Sequence, residues 1–107
     1  MRSQKLLEIR NEVIKLLKLL AQELNAVIYL FGSYARGDHT LESDVDIVVV
    51  SKIFEGMDYA TRVEFIRMRL PPHIGFDIIP LIPTEFKKKQ NRAFFKDISK
   101  YWIKIEP

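Results

Sequence analysis

The sequence predicts an α+β fold, a small mixed β-sheet backed by helices on one side. Three observations carry that reading. Leu6, Ile9, Val13, Leu16, Leu17, Leu20 and Leu24 recur at three- and four-residue spacing, the period of an amphipathic helix. Three runs rich in β-branched residues, 27–31, 45–50 and 76–82, read as short strands. The segments between and after them give the order helix, strand, strand, helix, strand, helix, which packs as a sheet with helices laid against it.

Taken in order, residues 3–24 form the first helix, with Ser3 as its N-cap and Lys5, Glu8, Glu12, Lys15, Lys18 and Gln22 on the face away from the leucines. Asn25 ends the pattern. The strand 27–31 leads into Gly32-Ser33, and Tyr34-Ala35-Arg36 has room for one helical turn before Gly37 stops it. Residues 38–43 are a polar loop. The strand 45–50 is almost wholly β-branched and is expected at the centre of its sheet. A second helix over 58–70 places Tyr59, Val63, Ile66 and Leu70 on one stripe, with Arg62, Arg67 and Arg69 off it, and Pro71-Pro72 ends it. Pro80 cannot donate to a ladder, so the strand 76–82 is expected at an edge. A basic helical stretch then runs from Pro83 to about Lys100, carrying Lys87, Lys88, Lys89, Arg92, Lys96 and Lys100 with Phe94, Phe95 and Ile98 between them. Its plain reading is a solvated face with core anchors; contact with RNA, phosphate or an acidic partner is the other. Residues 101–105 make a last short strand, with Tyr101 and Trp102 as anchors of the C-terminus.

Length and composition bound the function. The 107 residues suit a single domain spanning 1–107 with one core, so a large substrate must be held by a second chain or bring its own surface. With 48% hydrophobic and 29% charged residues the chain reads as an ordinary globular sequence and not a disordered one. Its apolar runs fall far short of the roughly 20 residues a membrane span needs, and the polar, charged N-terminus carries no signal-peptide core. There are no cysteines, which excludes a disulfide scaffold, a cysteine nucleophile and a thiolate zinc site, and suits a cytoplasmic location. The net charge of +3 is compatible with an anionic ligand without establishing one.

The chemistry concentrates between Gly32 and Val50. Gly32 permits a backbone geometry and a closeness of approach that a Cβ would block. Ser33 follows at the start of a short helix, where backbone N–H groups favour phosphate. The G-x-x-x-x-G-K-[ST] spacing of a P-loop is absent. Strand alternation puts Asp44 and Asp46 on one face, about 6.5 Å apart along the chain. They repel one another unless a cation sits beside them, and Mg²⁺, a hard ion that takes oxygen ligands, fits best. Asp77 is the one carboxylate of the strand 76–82. If that strand pairs beside 45–50, Asp77 reaches the same cluster, and three carboxylates can hold two metals roughly 3.5–4 Å apart. The plain alternatives are solvated loop carboxylates for the pair and an edge charge for Asp77.

Gly32, Ser33, Arg36, Gly37, Ser43, Asp44 and Asp46, seven positions within residues 32–46, resemble the signature of the polymerase-β-like nucleotidyltransferase superfamily. More narrowly, the chain resembles the minimal nucleotidyltransferases (MNT) that act as antitoxins in HEPN/MNT toxin–antitoxin pairs. The resemblance implies that Gly32 and Ser33 hold the triphosphate of ATP, that Asp44 and Asp46 ligate Mg²⁺, and that Asp77 completes the site as ligand or base. Arg36 and Ser43 match the motif, as phosphate contacts or as braces of the loop. It also implies attack of a hydroxyl on the α-phosphate with release of pyrophosphate, the acceptor being a tyrosine of a HEPN RNase partner held in a hetero-oligomer.

Two rivals stand beside that reading. One is nucleotidyl transfer to a small molecule or an RNA end, which the short chain disfavours because no second domain grips such a substrate. The other is a non-catalytic binding module that neutralises a HEPN toxin by occlusion. His39 reads as a solvated loop histidine, His73 has no companion zinc ligand in sequence, and Tyr34 reads as local packing.

Overall fold

The computed structural model describes residues 3–107. The first element forms as its pattern requires. Helix α1 spans Gln4–Leu24, Ser3 caps it by accepting the Leu6 N–H at 3.2 Å, and Asn25 closes it in the left-handed conformation at φ 46°. Val13, Leu17, Leu20, Ala21 and Leu24 are its buried stripe. Strand β1 (Val27–Phe31) runs directly into the single-turn helix α2 (Gly32–Arg36), and β2 (Val45–Val50) follows the polar loop. A 3₁₀ turn (Lys52–Phe54) leads to α3 (Tyr59–Arg67), whose N-cap Asp58 accepts the Thr61 N–H at 2.7 Å. Strand β3 (Phe76–Leu81), helices α4 (Pro83–Lys89) and α5 (Ala93–Ile98), and strand β4 (Ile103–Ile105) complete the order. The single basic helix expected from Pro83 to Lys100 is two helices, because the chain turns at residues 90–92 and redirects Phe95 onto the sheet.

The sheet is mixed, in the order β3-β2-β1-β4. Strand β2 lies inside it, antiparallel to β1 and parallel to β3; β3 is an edge, as Pro80 requires, and the short β4 closes the other side antiparallel to β1. The parallel pairing sets Val45 against Phe76, Asp46 against Asp77 and Ile47 against Ile78.

The expectation of helices on one side is corrected. Ile28, Leu30, Val45, Ile47, Val49, Phe76 and Ile78 face α1 and α3. The alternate residues Tyr29, Phe31, Val48, Val50 and Leu81 form a second core with Phe86 of α4, Phe95 of α5 and Trp102. Tyr29 lies between Phe86 and Trp102, at ring-centre distances of 5.0 and 4.2 Å, and this stack fastens the second layer. Of the two expected C-terminal anchors, Trp102 serves and Tyr101 does not, being 65% exposed. Among the described residues no helix is long and apolar enough to cross a membrane.

Arg62 also departs from expectation. It is buried, and its guanidinium donates to Met57 O at 3.0 Å, Pro80 O at 3.4 Å and both Glu85 carboxylate oxygens at 2.6 and 3.4 Å. Glu85 in turn accepts the Ile82 N–H at 3.0 Å, so one ion pair ties α3, β3 and the start of α4. The hydrogen bond from Arg62, followed by that from the Ile82 N–H, holds the Glu85 carboxyl below its ordinary range. Replacing Arg62 strands two carbonyls and a carboxylate, so Arg62→Met should lower unfolding stability by about 2–3 kcal/mol in urea titrations. Glu23→Ala, which removes the exposed partner of Arg69, should lower it by less than about 1 kcal/mol.

Candidate active site

The acidic site stands where β1 ends and β2 and β3 begin. Alternation along β2 puts Asp46 on the face of Val48 and Val50, and the β2–β3 register sets Asp77 directly across from it. Asp44 precedes the strand by one residue. Asp44 and Asp77 are exposed and Asp46 is half-buried. Asp46 is pushed up to about 6, first by burial, then by the charge and hydrogen bonding of Asp77, then by the charge of Asp44; Arg36 opposes these more weakly.

Two glycines seat the carboxylates. Gly32 sits at φ +69°, a left-handed conformation that makes the sharp exit from β1, and a Cβ there would collide with Asp46 Oδ2. The group nestled against Gly32 is thus a side chain of the site itself, where the sequence suggested space for a phosphate. Gly75 performs the same office for Asp44, whose Oδ1 occupies the place a Gly75 Cβ would take. The sequence reading missed Gly75. Its position one residue before Phe76 was the available signal, but only the parallel register reveals which side chain it faces.

Ser33 is half-buried in the first turn of α2, and its carbonyl accepts the N–H groups of Gly37 and Asp38 at 2.8 and 3.1 Å. Arg10, another residue the sequence did not single out, reaches across from α1 and donates to Tyr34 O at 2.7 Å and Ala35 O at 3.2 Å. It thereby fixes the C-terminal end of the short helix. Arg36 is exposed and donates to Asp38 Oδ2 at 3.2 Å. Ser43 stands apart from the glycine turn. Its hydroxyl accepts the Thr40 N–H at 2.9 Å and pairs with Thr40 Oγ1 at 3.2 Å, so it braces the 40–43 turn that delivers Asp44.

His39 is corrected outright. It is buried, stacks on the buried Tyr34 ring at 4.3 Å, and shares a 2.9 Å hydrogen bond between Nε2 and Leu6 O. It is a latch between the motif loop and α1, not a solvated loop residue. The second helical layer adds a further wall. A cavity of about 300 Å³ at the Gly32 turn is lined by Phe31, Gly32 and Arg36 on one side and by Asp97, Ile98 and Tyr101 on the other.

Among the described residues no three carboxylate, imidazole or thiolate side chains stand as a ready-made metal cage. The fit to a divalent cation is one of donor chemistry. Asp44, Asp46 and Asp77 offer only hard oxygens, and a cation among them would offset both the burial that chiefly raises Asp46 and the neighbouring charges that add to it.

Comparison with known proteins agrees with this geometry. Residues 8–101 match the nucleotidyltransferase domain family. The chain is 27% identical over 101 residues to "Putative protein adenylyltransferase MJ0141" of Methanocaldococcus jannaschii, covering 88% of this chain and 99% of that protein. It is 40% identical over 73 residues to "Putative protein adenylyltransferase MJ0604" of the same organism, covering 66% of this chain and 68% of that one. Among solved structures it resembles a "putative nucleotidyltransferase" from Sulfolobus solfataricus, with a TM-score of 0.64, 26% identity, and coverage of 96% of this chain and 87% of the other.

The raised Asp46 has a consequence in the metal-free protein. Its folded-state value lies above the ordinary 3.8, so between about pH 4 and 6 the folded state holds a proton that the unfolded state releases. Stability should therefore fall as pH rises through that window and level off above it. Thermal melts across the window check this, and Asp46→Asn should remove the dependence.

Proposed function

The chain belongs to the nucleotidyltransferase domain family and is a nucleotidyltransferase; from that premise we propose that it transfers AMP from ATP to a hydroxyl of a protein partner, with Mg²⁺ held by Asp44, Asp46 and Asp77. The observation that carries the reading is the β2–β3 register, which sets two of the acids opposite one another, with the third close enough to act on Asp46. The relatives' description as protein adenylyltransferases supports ATP as donor and protein as acceptor. On this reading the acceptor is a tyrosine of a HEPN toxin and the role that of an antitoxin acting in the cytoplasm, which the resemblance of residues 32–46 to minimal nucleotidyltransferases supports.

The bound cation would neutralise charge on the triphosphate and on the departing pyrophosphate. The chain's own groups do the rest. Backbone N–H groups of the Gly32-Ser33 turn, with Ser33 Oγ, hold phosphate oxygens; Arg36, exposed on the same turn, adds a positive charge; Ser43 keeps Asp44 in place by bracing its loop. The acceptor oxygen bonds to the α-phosphorus as the bond from that phosphorus to the bridging oxygen breaks. Pyrophosphate leaves with that electron pair, and the acceptor proton passes to a carboxylate of the cluster. Two carboxylates on paired strands and a third one residue before β2 suit such a transfer, which depends on positioning and charge neutralisation.

The test is transfer itself. The purified chain, Mg²⁺ and ATP labelled at the α-phosphate should place label and AMP mass on the candidate acceptor encoded beside it, whereas label at the γ-phosphate should leave as pyrophosphate. Asp44→Asn and Asp46→Asn should abolish the adduct without unfolding the chain. Gly75→Ala, which displaces Asp44 without removing it, should slow transfer by about a hundredfold. Full toxin neutralisation by an Asp44→Asn/Asp46→Asn chain, with no adduct on any acceptor, would establish occlusion instead.

A further inference from the structure

One cavity lies away from the acids. It encloses about 480 Å³ where β3 ends and α4 begins, walled by Met57, Tyr59, Arg62, Leu81 and Glu85 and rimmed by Lys88, Lys89 and Arg92. Leu81 is four residues beyond Asp77 along a straight strand, so this site sits about 13 Å from the acidic end of β3.

Its charge is net positive. Arg62 and Glu85 form a hydrogen-bonded pair, and Asp58, the N-cap of α3, also lines the cavity and keeps its negative charge, so four cations face two carboxylates. Lys88, Lys89 and Arg92 remain, and among the described residues none of the three lies within ion-pair distance of a carboxylate. Two of these cations suit the C-terminal turn of α4 through its dipole, but that does not account for Arg92, which stands beyond the helix, or for their convergence on one cavity. Tyr59 supplies a second kind of contact. It is 54% exposed, yet its hydroxyl is tethered to Ile78 O at 3.4 Å, so an aromatic ring is held at the mouth of a basic cavity.

We propose that this cavity is a binding site for single-stranded nucleic acid, one base stacking on Tyr59 while Lys88, Lys89 and Arg92 take backbone phosphates. Cations that follow a phosphate backbone beside an aromatic platform are the recurring means of holding single strands without base-specific readout. The volume accommodates one nucleotide. An acidic peptide would satisfy the cations and leave the tethered ring without a role, which is why nucleic acid is the better match.

Fluorescence anisotropy with fluorescein-labelled oligoadenylate tests the site, with EDTA present so that the carboxylates cannot hold phosphate through a metal. Three phosphate contacts should give a log–log salt slope of about −2. Charge reversal at Lys88, Lys89 and Arg92 should flatten that slope, and Tyr59→Ala should weaken binding roughly tenfold while Tyr59→Phe, which keeps the stacking ring and loses only its tether, weakens it by less. Circular dichroism establishes that each variant is folded, and the same measurements on the Asp46→Asn chain should match wild type. The proposal is overturned if the oligonucleotide does not bind at low salt, or if charge reversal leaves binding intact. It is equally overturned if polyglutamate binds as tightly as oligoadenylate and Tyr59→Ala affects neither.

Discussion

Like charges held close together at the end of a hydrophobic strand are the constraint around which this molecule is arranged. Asp46 belongs to a β2 whose remaining residues are all buried, and its register partner across the parallel pairing is another aspartate. Such a juxtaposition is unfavourable unless each carboxylate has a fixed seat and the repulsion has an outlet. Gly32 and Gly75 provide the seats, and burial, with the charges of Asp77 and Asp44 adding to it, pushes the Asp46 carboxyl up. The surrounding structure keeps the strands from yielding. Valine and isoleucine on both faces fix β2, Arg10 pins the short helix after β1, and Ser43 closes the turn that delivers Asp44.

Much of this was legible from residue pattern because the signals were local. The leucine stripe, the Ser3 cap, the Asn25 stop, the β-branched run of β2 and the proline in β3 each act over a few residues, and each element formed where its pattern lay. The Asp-x-Asp spacing likewise put Asp44 and Asp46 near one another, near enough for the Asp44 charge to act on Asp46, although Asp44 lies one residue before the strand. Asp77 needed one assumption about strand pairing.

What escaped the sequence depended on contacts between distant segments. Alternate positions of β1 read as buried without showing that each face had its own helical cover, so the layer built on Tyr29, Phe86, Phe95 and Trp102 went unseen. With it went the wall that α5 places beside Gly32 and Arg36. Arg62 looked like one of several surface cations because its partners, Pro80 and Glu85, lie 18 and 23 residues away. His39 sat in a polar loop and gave no sign that Leu6 O and the Tyr34 ring would bury it. Gly75 was one glycine before a strand, and its importance is visible only as the outline of Asp44.

The position of β3 at the sheet edge bears on how Asp77 is reached. An acid at the margin of a sheet is approached from the side, with no further strand to move aside, and the exposed Asp77 stands on that margin. Strand order thus decides the direction from which that carboxylate is met: whatever reaches Asp77 comes from the open side of β3, where the sheet has no further neighbour.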